Sequence, residues 1–137
     1  MECLFCAIAA GTVPSYDVLR TPDWVGFLDI RPVFKGHVLL IPTQHVGTLP
    51  DLPVDQNPGL VAAQQALCRA VMTALGAQGT FVAMNNTVSQ SVPHLHCHVV
   101  PRTKGDGLRG FFWPRTKYAD ADEATTYAAR IRASLEL

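Results

Sequence analysis

The stretch Pro93-His94-Leu95-His96-Cys97-His98-Val99-Val100-Pro101 constrains this chain more than any other part of it. Side chains of an extended strand alternate between faces, so His94, His96 and His98 would share one side and Leu95, Cys97 and Val99 the other. Three of the five histidines lie in this one stretch. Imidazole titrates near neutrality and serves as nucleophile, proton donor or metal ligand, so three in a row narrow the chemistry sharply.

The rest of the composition sets the stage. At 137 residues the chain makes about one domain that buries roughly two-thirds of its unfolded surface. Lys plus Arg and Asp plus Glu are both 11, so no net field favours a nucleic-acid backbone or an anionic membrane, and an anionic ligand must be held locally. No apolar run approaches the roughly 20 residues of a membrane span, and Met1-Glu2-Cys3-Leu4-Phe5-Cys6 lacks the layout of a secretory signal, so a cytoplasmic protein is expected. Its four cysteines are then expected reduced, with Cys68 and Cys97 as core packing. Cys3 and Cys6 form a C-x-x-C pair. A thioredoxin-like role needs a preceding strand, which two residues cannot supply, and half of a metal site is the better reading.

Punctuation by Gly and Pro divides the chain into elements. Phe5–Ala10, closed by Gly11, reads as a short helix, and residues 16–20 and 25–29 read as a hairpin around Thr21-Pro22-Asp23. His37–Ile41 is an apolar run of strand length covered on both faces. A helical period runs from Asn57 to Leu75 with Pro58 in its first turn, Leu60, Leu67, Val71 and Leu75 on one face and Gly76 at its end. Residues 80–84 and 96–100 are the next strands, separated by the polar segment Asn85–Ser91, a candidate ligand loop. A helix is expected from Ala121 to Leu137, with Asp120 or Asp122 as N-cap and Ala124, Tyr127, Ala128, Ile131 and Leu135 at helical spacing. Strands and helices do not alternate regularly, which favours an α+β fold with a mainly antiparallel sheet of about five strands and helices on one side.

Three roles compete for the histidines. Three ordinary histidines on one face would each need its own partner. One zinc ion cannot take all three, because positions i, i+2 and i+4 span about 13 Å of strand while Zn–N bonds are about 2.0 Å. The third role is nucleophilic: an imidazole attacks phosphorus, a phosphoramidate forms, and water then releases it. Neighbouring imidazoles and loop amides then serve the phosphate oxygens.

His94-Leu95-His96-Cys97-His98-Val99-Val100 resembles the His-φ-His-φ-His-φ-φ signature of the histidine triad (HIT) nucleotide hydrolases and transferases, φ being hydrophobic. Leu4-Phe5-Cys6-Ala7-Ile8, Gly11-Thr12-Val13-Pro14-Ser15, Phe27-Leu28-Asp29-Ile30-Arg31-Pro32 and Gly36-His37-Val38-Leu39-Leu40-Ile41-Pro42 with His45 resemble further family segments in the same order, over about residues 3 to 102. The resemblance implies a single HIT-like domain over 1–137, with residues 103–137 a less family-like extension. It implies that His96 is the nucleophile, that His98 binds phosphate and assists the leaving group, and that His37 orients the nucleophile. Asn85, Gln90, Ser91 and Val92 would form the phosphate cradle. Leu4, Phe5, Ile8, Phe27, Leu28 and Ile30 would wall the base, with Asp29 on the ribose hydroxyls, which suits a flat apolar ring beside a diol.

Family members with the N-terminal C-x-x-C resemble this chain in also having His45 and His94, which with Cys3 and Cys6 would hold a structural zinc; no organic cofactor is implied. The resemblance further implies a homodimer acting on a purine nucleotide or nucleotide conjugate. The competing expectation is a zinc-stabilised nucleotide-binding or interaction module without turnover. The chain departs from the family at Thr87, where many relatives have Gly. Gly105–Arg115, rich in aromatics and Arg, would close over substrate or pack on a partner.

Overall fold

The computed structural model describes residues 2–109 and 115–136, and two units separate at Asp106. The first unit is a five-stranded antiparallel sheet in the order β1-β2-β3-β5-β4, made of β1 (Asp17–Arg20), β2 (Trp24–Leu28), β3 (Val38–Pro42), β4 (Gly79–Ala83) and β5 (Cys97–Arg102). Helix α1 (Leu4–Ala10) precedes the sheet and α2 (Asn57–Leu75) links β3 to β4. The expected α+β architecture is therefore the observed one, with a third helix, α3 (Ala121–Ala133), in the second unit.

Alternation along the central strands creates two cores. Val38 and Leu40 of β3, with Leu95, Cys97 and Val99, meet Leu60, Ala63, Leu67 and Val71 of α2. Leu39 and Ile41, with Val25 and Phe27 of β2, meet Phe5 and Ile8 of α1 on the opposite side, so helices cover both faces of the sheet and not one as expected, because β3 is apolar on both. Strand β3 is buried along its whole length, as its unbroken apolar run predicts. Gly36, two residues before β3, has φ +97, a backbone conformation that L side chains rarely adopt, so glycine is favoured where the chain turns into the strand.

Several local expectations shift. Strand β5 starts at Cys97, so of the triad only His98 lies inside it, while His94 sits in a bend and His96 immediately precedes the strand. The alternation still reaches ahead of the strand: Leu95, whose N–H donates to Val46 O at 2.6 Å, shares a core with Cys97 and Val99. Leu75 is 54% exposed at the last position of α2, and the buried face of the helix consists of Leu60, Ala63, Leu67 and Val71. Helix α3 stops at Ala133, before Leu135, and Asp120 is its N-cap, accepting from Glu123 N–H. Residues 110–114 of the aromatic and Arg-rich segment lie outside the described residues, as does Leu137. Among the described residues no helix is long and apolar enough to cross a membrane.

Candidate active site and metal centre

The α1 face of the sheet carries a cavity of about 670 Å³ within the first unit. Its walls include Leu4, Phe5, Ile8, Phe27, Leu28, Asp29 and Ile30, all expected from the sequence, with His96, His98 and Ser91 at one end. Val13, Pro14, Ser15, Tyr16, Arg31 and Leu39 complete it and were not expected. The signal for residues 13–16 lay in Gly11. Its φ of +78 ends α1 and turns the chain back, and Leu28 N–H donating to Tyr16 O then pins the returning segment beside β2.

Hydrogen bonds fix which nitrogen of each imidazole carries the proton. His96 Nδ1 is 2.8 Å from His94 O; a carbonyl only accepts, so Nδ1 bears the hydrogen and Nε2 keeps its lone pair. Val33 N–H donates to His37 Nδ1 at 3.1 Å, so the hydrogen of His37 is on Nε2. That Nε2–H faces His98 Nδ1 at 2.9 Å, which must accept, leaving the His98 proton on Nε2. The His96 and His98 rings lie 5.2 Å apart at the cavity, one offering a lone pair and the other an N–H.

Burial keeps the His37 and His98 rings neutral. Burial lowers His98 to about 4, with His37 and His96 adding to the effect and Asp29 opposing it. Burial also lowers His37, again against Asp29, whose Oδ2 is 3.8 Å from His37 Nδ1. The other oxygen of Asp29 accepts from Arg31 N–H at 2.8 Å, which holds the carboxylate at the cavity wall.

The loop from Asn85 to Ser91 is held by its own side chains. Gln90 accepts from Thr87 N–H at 2.9 Å and donates to Gly47 O at 2.7 Å. Asn85 donates to Ser89 O, and Asn86 accepts from Leu49 N–H. Asn85 and Gln90 thus shape the loop and do not line the cavity, whereas Ser91 does and Val92 packs against the α1 core. Among the described residues the N–H of Ser91 has no hydrogen-bond partner.

Behind the triad, Cys3, Cys6, His45 and His94 bring four ligand atoms within 4.8 Å of one another. His94 Nε2 is 2.9 Å from Pro42 O and must donate there, so a bare Nδ1 faces Cys3 Sγ at 3.4 Å and Cys6 Sγ at 3.5 Å. His45 Nδ1 lies 3.2 Å from Cys6 Sγ. In tetrahedral zinc with Zn–S near 2.3 Å and Zn–N near 2.0–2.1 Å, sulfur and nitrogen ligands stand about 3.6 Å apart, so the donor set fits that ion. Burial raises the Cys6 thiol, with Cys3 adding to it, and burial lowers His94, with the Pro42 carbonyl opposing and His45 and His96 adding. A neutral imidazole is ready to ligate, and a dication would reverse the thiol shift.

Asp29, His37 and His98 form a second convergent group. Its two imidazoles are joined by a hydrogen bond of 2.9 Å, shorter than the roughly 3.3 Å separating two nitrogens on one tetrahedral zinc. It is a proton-sharing pair.

Comparison with known proteins agrees with this arrangement. An uncharacterised HIT-like protein of Mycobacterium tuberculosis is 37% identical over 110 residues, covering 79% of this chain and 76% of that protein. An adenosine 5'-monophosphoramidase of Schizosaccharomyces pombe is 32% identical over 116 residues, covering 83% and 84%. The crystal structure of a zinc-bound histidine triad family protein from Mycobacterium smegmatis superposes with a TM-score of 0.75 at 34% identity, covering 98% of this chain and 99% of that one. The HIT domain family model matches residues 10–105, and with the triad, the sheet and these relatives in agreement the chain belongs to the HIT domain family.

Proposed function

We propose that this protein is a nucleotidyl hydrolase or transferase that cleaves a nucleoside 5'-phosphate, purine preferred, from a phosphate-linked leaving group through a nucleotidyl-His96 intermediate. The observation that carries the reading is the bare Nε2 of His96 beside the Nε2–H of His98 at one end of an apolar cavity. In the first step the Nε2–phosphorus bond forms as the bond from phosphorus to the leaving group breaks, and the leaving group departs with a proton drawn from solvent. In the second, a water oxygen replaces Nε2 on phosphorus, and the proton it sheds replaces the one carried away. One difficult displacement becomes two easier ones.

The surrounding groups suit this chemistry. The His98 Nε2–H is a hydrogen-bond donor for a phosphate oxygen or the leaving atom, and His37 holds His98 in that tautomer. The amide and hydroxyl of Ser91 suit the equatorial oxygens, and Asn85, Gln90 and Val92 set the loop that presents them. Phe5, Ile8, Phe27 and Leu28 offer an apolar slot for a base, with Leu4 and Ile30 at its mouth and Asp29 for ribose hydroxyls. The phosphoramidase among the relatives supports an amine leaving group.

In this reading Cys3, Cys6, His45 and His94 hold a structural zinc, consistent with the zinc-bound relative. Family likeness extends the reading to a cytoplasmic homodimer in which residues 103–137 extend the single HIT-like domain. The test is His96→Asn with AMP phosphoramidate and a dinucleoside polyphosphate as substrates. The variant is expected to lose turnover by at least about a thousandfold while still binding AMP. Turnover retained in the variant would exclude His96 as nucleophile, and no turnover by the wild type on either substrate would favour a binding module.

A further inference from the structure

Each segment that supplies a metal ligand also carries a part of the nucleotide site. Helix α1 brings Cys3 as its N-cap and Cys6, and between and after them Leu4, Phe5 and Ile8 wall the cavity. At seven residues it is too short to be stable on its own. Arg20 ties down its far end by donating to Ile8 O and Ala9 O, so the near end is left to the cysteines. The segment after His45 holds the phosphate-side loop, since Gly47 O accepts from Gln90 and Leu49 N–H donates to Asn86. It also fixes the approach to the triad, through Val46 O and Leu95 N–H.

The third segment makes the link most direct. His94 points its bare Nδ1 at the two sulfurs, anchors Nε2 on Pro42 O, and is fully buried. Its own carbonyl, 2.8 Å from His96 Nδ1, is the group that keeps His96 in the tautomer with a free Nε2. Phe5 stands edge-on to both rings, with centroids 6.0 Å from His94 and 5.1 Å from His96. The ring that faces the sulfurs and the acceptor of the His96 proton thus belong to one residue, and one aromatic side chain stands against both imidazoles.

We propose that His94 is a positioning residue through which the Cys3–Cys6–His45–His94 centre, when it holds its metal, sets the tautomer of His96 and the nucleotide affinity of the cavity. The proposal rests on the reading of that centre as a zinc site and of His96 as the nucleophile. Because binding free energies are reciprocal, a bound nucleotide must in turn perturb the metal centre.

The experiment uses the full chain loaded with Co²⁺ in place of zinc and titrated with AMP. The visible absorption of the cobalt centre is expected to shift in proportion to AMP occupancy, although no ligand to the metal is a cavity residue. In parallel, ¹⁵N correlation spectra of the imidazoles, with the His96 signals assigned by their loss in His96→Asn, are compared between zinc-loaded and chelator-treated protein. Metal removal is expected to replace a single Nδ1–H tautomer of His96 by a mixture and to weaken AMP binding roughly tenfold, with zinc restoring both. Cys6→Ser at a zinc level that saturates the wild type is expected to match the chelated protein. A cobalt spectrum indifferent to saturating AMP would overturn the proposal, and this arm holds even if the metal-free chain unfolds. So would a folded metal-free protein whose His96 tautomer is unchanged and whose AMP affinity stays within about twofold. Failure to take up one cobalt overturns the zinc reading and this proposal with it, whereas turnover by His96→Asn strikes at the nucleophile alone.

Discussion

Two histidine clusters sit on the same strand approach and have opposite designs. In the cluster of His45 and His94 with Cys3 and Cys6, the bare Nδ1 of His94 and the Nδ1 of His45 face sulfurs at 3.2 to 3.5 Å, and four donor atoms converge on one point. In the pair of His37 and His98 a proton lies between the rings at 2.9 Å, and a backbone N–H from Val33 dictates which ring owns it. Residue type does not separate them, since both rest on imidazoles. The second atom of each ring does: His94 is braced by a carbonyl, which turns its lone pair inward, and His37 by an amide, which turns its proton inward. His96 stands between the two and borrows from the first cluster the carbonyl that frees its nucleophilic nitrogen.

The sharpest way to break this contrast is to remove the cation that only one cluster should want. At free zinc a thousandfold above its dissociation constant, binding stabilises the fold by about 4.1 kcal/mol. At roughly 2–4 °C per kcal/mol for a chain of this size, chelation should lower the melting temperature by about 8–16 °C. Cys6→Ser should show the same loss without chelator, and His37→Asn should not. A calorimetric scan in which Cys6→Ser melts with the wild type would erase the distinction between the clusters.

The converse substitution sharpens it from the other side. His37→Phe removes the N–H that fixes His98 Nδ1 as acceptor and frees the His98 ring to swing. A misplacement on the order of 1 Å costs up to about a hundredfold, so kcat should fall roughly 10- to 100-fold while KM and zinc content change little. Loss of zinc in this variant would show that the two clusters are one unit.

The split between the clusters was partly legible in the sequence. The i, i+2, i+4 spacing already forbade one ion from taking all three triad histidines, and the C-x-x-C pair called for two more ligands. The pairing of Leu95, Cys97 and Val99 with the core also followed from alternation, even though β5 begins only at Cys97. Tautomers were beyond reach, because they depend on Val33 N–H, Pro42 O and His94 O, backbone groups whose direction no residue type announces. The same holds for Asn85 and Gln90, which the family resemblance assigns to the phosphate cradle and whose side chains hydrogen-bond to Ser89 O, Thr87 N–H and Gly47 O. Leu75 was misjudged because a helical period says which face is apolar but not where the covering sheet ends.

Acid distinguishes the clusters more gently. The His98 imidazole is held to about 4 in the folded protein, while the unfolded chain takes up its proton near the ordinary value of about 6.5. Between those values the unfolded state binds more protons, so stability is complete above about pH 6.5 and is lost as pH falls toward 4. His37, His96 and Asp29 face this ring, and the first two reinforce the burial that depresses it while Asp29 opposes it. Zinc release at low pH adds to any loss in the wild type. The informative quantity is therefore the difference from His98→Asn, measured by thermal melts at constant zinc: the variant should lose less stability across this window. Parallel pH profiles would mean that His98 is not held neutral by its surroundings.

The smallest effect concerns the loop on the proton-sharing side. Thr87 has φ 72 and Ser89 φ 61, both in the left-handed region, and Thr87 is β-branched, which makes that region costly by roughly 1–2 kcal/mol. The turn that ends α1 is made instead by Gly11 at φ 78, which carries no such cost. The strain at Thr87 is held by its N–H donating to Gln90 Oε1, and Gln90 is in turn anchored on Gly47 O. Thr87→Gly keeps that backbone N–H and removes the strain, though glycine also gains freedom in the unfolded chain, by about 0.4–1 kcal/mol. The net should be a stabilisation of no more than about 1 kcal/mol, a rise of roughly 2–4 °C in melting temperature. Nucleotide affinity should change by less than about threefold, because hydrogen bonding and not the threonine side chain sets the loop's path. A destabilised Thr87→Gly would show instead that the methyl and hydroxyl groups of Thr87 hold the loop, and that its strain is offset by contacts of the side chain itself.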